Sequence, residues 1–63
     1  MASFKQLNML ISKGHHWLID PLAKELSKID KEKFKQSLAF AYGVMDENGD
    51  NGQEVVNVLS YYL

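Results

Sequence analysis

The chain has no cysteine and no arginine, a single proline, and no apolar run long enough to cross a bilayer. Without cysteine there is no disulfide to staple the fold and no thiolate to hold a metal, which fits a reducing compartment and leaves cohesion to packing. Without arginine, all seven bases are lysines, and the planar fork that reads guanine through two bonds is missing. The longest apolar stretches, such as Trp17–Ile19 and Leu38–Tyr42, fall far short of the about 20 residues a membrane span needs. The opening Met1-Ala2-Ser3-Phe4-Lys5 lacks a charged segment followed by an apolar one, so no secretory leader is expected and the cytoplasm is the expected location.

What the chain does have is the composition of a globular protein, because 46% hydrophobic and 11% aromatic residues are too many for a disordered tail. Its 63 residues allow one domain, spanning 1–63. Such a domain should expose roughly 4,100 Å² when folded. The apolar area it buries is worth about 95 kcal/mol, and an ordering entropy of similar size nearly cancels it. Small stabilising devices, or a partner, therefore matter. The net charge of −1 conceals a dipole: residues 1–35 hold all seven lysines and four acids, net +3, whereas residues 36–63 hold four acids and no base, net −4.

The periodicity predicts an all-α fold, a compact bundle of three or four short helices. Ser3-Phe4-Lys5-Gln6 has the form of a capping box, and Phe4, Leu7, Leu10 and Ile11 follow at helical spacing until Lys13 and Gly14 close the segment. His15–Ile19 reads as a connector. Asp20-Pro21 then reads as the start of a second helix with Leu22, Leu26 and Ile29 on one face, since proline is preorganised for the first helical position. Asp30 reads as the third cap, with Ile29 and Phe34 as a hydrophobic staple and Phe34, Leu38, Ala41, Tyr42 and Met45 as the buried stripe. The acids and turn formers of Asp46–Gly52 read as a loop, and Asn51 as the cap of a last helix with Val55, Leu59 and Tyr62 on one face. The valines of that segment suit a strand equally well, but no second strand is present to pair with.

Three clusters could carry chemistry. Asp46, Asn48 and Asp50 occupy positions 1, 3 and 5 of an EF-hand-like calcium loop, yet position 6 is Asn51 instead of glycine and position 12 is Asn57 instead of the bidentate glutamate. A solvated interhelix loop without a metal is expected, with weak calcium binding at Asp46, Asn48 and Asp50 as the alternative. His15 and His16 are adjacent and so diverge on a helix; His16 and Asp20 converge at i, i+4, but two ligands do not make a zinc site. Lys24, Lys28, Lys31, Lys33 and Lys35 form a basic cluster across the junction of the second and third helices, a pattern that resembles a helix-turn-helix and offers phosphate contacts. Glu25, Asp30 and Glu32 lie within it and reduce its charge to +2.

No nucleophile with its base, no phosphate-binding loop and no H-E-x-x-H motif is present, so no enzyme activity and no cofactor are expected. The aromatic residues exceed what one bundle face hides. Trp17, Phe40, Tyr61 and Tyr62 are the expected anchors of a protein interface, with Asp46, Glu47 and Asp50 steering a basic partner surface. The expectation is a noncatalytic interaction module, a small regulator or inhibitor that binds another protein or a second copy of itself. Nucleic-acid binding through the lysine cluster and calcium binding at Asp46–Gly52 are the alternatives.

Overall fold

The computed structural model describes residues 3–63; Met1 and Ala2, and with them the start of the segment read for a leader, lie outside the described residues. Four helices follow one another with short joints: α1 (Phe4–Lys13), α2 (His16–Ile29), α3 (Lys31–Val44) and α4 (Asp50–Tyr61), with a 3-10 turn over Met45–Asn48 between the last two. The all-α bundle is as the periodicity predicts, and the final segment is helix. No helix among the described residues is long and apolar enough to cross a membrane. The accessible surface of 4059 Å² matches the area expected for this mass.

Of the four expected caps, Ser3, Asp20, Asp30 and Asn51, two are made. The Ser3 side chain accepts from the Gln6 amide at 3.2 Å and Asp30 Oδ1 accepts from the Lys33 amide at 3.1 Å, each satisfying one of the donors that a helix start leaves free. Gly14 closes α1 in the left-handed conformation at φ 72°, its amide donating back to the Ile11 carbonyl, a conformation that costs glycine nothing. Asn51, read as the cap of the last helix, is not one. Helix α4 begins at Asp50 with Gly49 before it and no side-chain cap, so the expected seven-residue loop shrinks to a 3-10 turn and one glycine.

The largest correction concerns α2, which begins at His16 and takes in all but His15 of the residues read as a connector. Asp20-Pro21 therefore lies inside the helix. Pro21 withholds the N–H that would bond the Trp17 carbonyl, but Trp17 and Pro21 are both exposed, so the gap falls on the solvent side of α2. In return Ile19 enters the core, and Ile19, Ala23 and Leu26 form the buried stripe at i, i+4, i+7. That register turns Ile29 outward to 64% exposure, so it is not the buried half of a staple with Phe34. Tyr42 likewise leaves the expected stripe of α3 and is 56% exposed, while Phe34, Leu38 and Ala41 are buried as expected.

The core is completed by Leu7 and Ile11 of α1 and by Val55, Val56 and Leu59 of α4. Helix α1 runs alongside α3 in the same sense, with Lys33 Nζ 6.0 Å from the centre of the Phe4 ring and Ser37 donating to Asn8 Oδ1 at 2.8 Å. Helix α4 runs alongside α2, from Asn51 beside Gly14 to Leu63, whose carbonyl accepts from Lys31 Nζ at 3.3 Å.

The point where α4 meets the 3-10 turn admits no side chain. Gly52 is buried, and a Cβ built there would lie 2.2 Å from the Met45 carbonyl oxygen and 2.9 Å from the Met45 Cα. Gly52→Ala is expected to destabilise the fold by about 2–3 kcal/mol, despite alanine's better helix propensity, because backbone must move. Gly43 is the control: it is exposed on α3, and nothing lies within 4 Å of its added methyl. Gly43→Ala should stabilise by about 0.5–1 kcal/mol, and urea unfolding of both variants beside the parent protein reads the opposite signs.

Candidate functional site

On α2, His16, Trp17 and Asp20 form one ridge, and on α4 and its C-cap, Asn57, Val58, Tyr61 and Tyr62 form another; the two ridges line an open groove. The helical repeat explains this. Leu59 points into the core, and Tyr61, about 200° further round α4, points away from it at 81% exposure. Trp17, two residues before the buried Ile19, is turned outward in the same way and is 58% exposed.

Contacts between the rings fix their orientations. His15 stacks on Trp17 with centroids 5.2 Å apart and planes 26° apart, and His16 meets the same indole edge-on at 5.0 Å. Tyr61 and Tyr62 pack edge to face at 5.0 Å, the arrangement the ring quadrupole favours. The Tyr62 hydroxyl donates to Asp20 Oδ1, tying the end of α4 to the first half of α2.

The structure thus brings together Trp17, Tyr61 and Tyr62 of the expected anchors and adds four residues to them, His16, Asp20, Asn57 and Val58. In the sequence Asp20 reads as a helix cap and as the i, i+4 neighbour of His16; the structure makes it the acceptor of the Tyr62 hydroxyl. Phe40 is not part of this site. It is 40% exposed in a separate cleft between α1 and α3, beside Phe4, Asn8, Lys33, Gln36 and Ser37. Asp46, Glu47 and Asp50 are exposed around the 3-10 turn and the start of α4, about 15 Å of helix away from Tyr61.

The calcium-loop frame meets a different backbone. Asp46 and Asn48 lie in the 3-10 turn and Asp50 opens α4, so the twelve positions of that frame are mostly helical. Asn48 turns its amide inward and donates to the Ile11 carbonyl at 3.2 Å, which helps close the end of α1. Among the described residues no group of three His, Cys, Asp or Glu side chains is placed to hold a metal ion. The lysine cluster is divided. Lys28 and Lys31 lie beside Tyr61, Tyr62 and Leu63, whereas Lys33 is turned toward α1 over Phe4; Lys24 and Lys35 are exposed.

Comparison with protein-family models, with characterised proteins and with solved structures finds no match to this chain. Its chemistry is read from the groove alone.

The hydrogen bond to Asp20 raises the Tyr62 phenol above the ordinary value of 10.0, and desolvation and the Asp20 charge add to it in the same direction. The bond exists only while the phenol keeps its proton. A pKa raised in the folded state means that this stabilisation is complete below the unfolded value of 10.0 and is lost as pH rises through the folded one. Tyr62 ring signals followed by NMR through the alkaline range should titrate above 10.0, and Asp20→Ala should bring them down. Identical curves in the two proteins would contradict the contact.

Proposed function

We propose that this chain is a noncatalytic protein-interaction module, a small regulator or inhibitor whose binding surface is the α2–α4 groove. The observation that carries this reading is the convergence of Trp17, Tyr61 and Tyr62 on one groove, with the first two largely exposed. Tryptophan and tyrosine are the residues in which interface energy concentrates, since each offers a large rigid area and a polar edge. The groove is open and lined by side chains from two helices, a shape suited to a protruding side chain or turn of another protein. The partner is another protein; self-association is the second case the same surface serves. A cytoplasmic setting accords with the absence of cysteine.

A photo-reactive phenylalanine analogue at Tyr61, in the cells the protein comes from, should yield a discrete cross-linked protein. The same analogue at Glu47 should not. Trp17→Ala should abolish the adduct by costing about 2 kcal/mol or more of binding, while changing the melting temperature little because the indole is mostly outside the core. Equal cross-linking with and without Trp17 would remove this groove as the interface.

A further inference from the structure

We infer that the α2–α4 groove takes a cationic side chain of the partner, an arginine guanidinium, between the Trp17, Tyr61 and Tyr62 rings and the Asp20 carboxylate. This rests on the groove being the binding surface and names the chemistry it selects.

Four observations on the groove lead to this class. First, its lining holds one formal charge, the Asp20 carboxylate, and no lysine. Second, only one Asp20 oxygen is taken by the Tyr62 hydroxyl, so Oδ2 retains its acceptor capacity. Third, three of the other six lining residues are Trp17, Tyr61 and Tyr62, whose ring faces carry the negative part of the quadrupole and attract cations. Fourth, the outer face of α4 leading to the groove bears Asp50 and Glu54, in the acidic half of the chain, with no base between residues 36 and 63. A carboxylate beside tryptophan and tyrosine faces is complementary to a cation and unfavourable for an anion.

Among cations the arrangement favours guanidinium over ammonium. Guanidinium is flat and weakly hydrated, stacks on an indole while its edge donates to a carboxylate, and loses less on leaving water. The chain has no arginine of its own to fill the groove. Its lysines near the tyrosine pair, Lys28 and Lys31, stand on the other side of Tyr61 and Tyr62, and Lys31 is engaged with the Leu63 carbonyl. The same two lysines repel a second basic residue there, so the site accepts an isolated arginine in preference to a basic run.

The test uses the intact chain and a defined probe, N-acetyl-arginine methylamide, against its uncharged isostere N-acetyl-citrulline methylamide, followed by NMR. Arginine should give saturable shifts of the Trp17 indole N–H and the Tyr61 and Tyr62 rings, and citrulline should bind about tenfold more weakly. Asp20→Asn, which keeps an acceptor for the Tyr62 hydroxyl but removes the charge, should weaken arginine binding about fivefold and leave the citrulline response unchanged. Equal binding of the two probes by the parent protein would overturn the inference without recourse to any variant. So would shifts gathered at Asp46, Glu47 and Asp50, which would mean attraction to the acidic end alone. Either failure leaves the cross-linking result standing, because a groove that binds a partner through apolar contacts still captures a protein at Tyr61.

Discussion

The bundle depends on a place where two stretches of backbone touch. Gly52, in the first turn of α4, lies against the Met45 carbonyl, and the 2.2 Å separation from an added Cβ leaves no room for any side chain. That contact lets the chain reverse within the 3-10 turn and a single glycine, Gly49 at φ 60°. It also sets the line along which α4 leaves the turn. From there Val55, Val56 and Leu59 meet the core at helical spacing, and the last turn of α4 arrives beside α2. The turn is secured from its other side by Asn48, whose amide reaches the Ile11 carbonyl, and by Gly14, which lies against Asn48 and Asn51. Three glycines and one asparagine thus set the turn from which the tyrosines follow.

Residues whose role is local were legible in the sequence. Ser3, Asp30 and Gly14 act through bonds to their own neighbours, so a spacing of three residues sufficed to assign them. The stripes of α1 and most of α3 were legible because their periodicity is uninterrupted. Helix α2 was not, and the reason is a competition. Proline at position 21 suits a first helical turn, and that preference is local; burial of Ile19 is a tertiary gain visible only once α1, α3 and α4 surround it. The core prevailed, and with it Ile29 turned outward. The acidic segment misled in the same way: its turn formers read as a loop, but Asn48 is needed to close α1 and Gly52 to seat α4, so most of it is helical.

The groove was half legible. Trp17, Tyr61 and Tyr62 stood out as too many large rings for the buried face, an argument from quantity that says nothing of where they meet. Their meeting needed α2 to begin at His16, which turned Trp17 and Asp20 onto one ridge three residues apart. Phe40 answered the same argument from quantity and lies elsewhere, because it sits on α3 facing α1. Counting exposed rings says nothing of which of them meet, and only the register of two helices brings Trp17, Tyr61 and Tyr62 to one groove.

An exposed tryptophan is ordinarily a mobile one, and mobility is lost on binding at a cost of about 0.5–1.5 kcal/mol for each side chain fixed. Here the rings are already held by their neighbours. His15 and His16 hold the indole from two directions, Tyr62 is fixed by Asp20, and Tyr61 packs on Tyr62. All of these stand on helices whose spacing is set by Ile19 and Ala23 on one side and Val55 and Leu59 on the other. The width of the groove is therefore a property of the core, and the chain cannot loosen its interior without moving its aromatic walls apart. The aromatic groove and the fold's stability draw on the same few residues, which is how a small fold keeps a rigid surface with little free energy to spare.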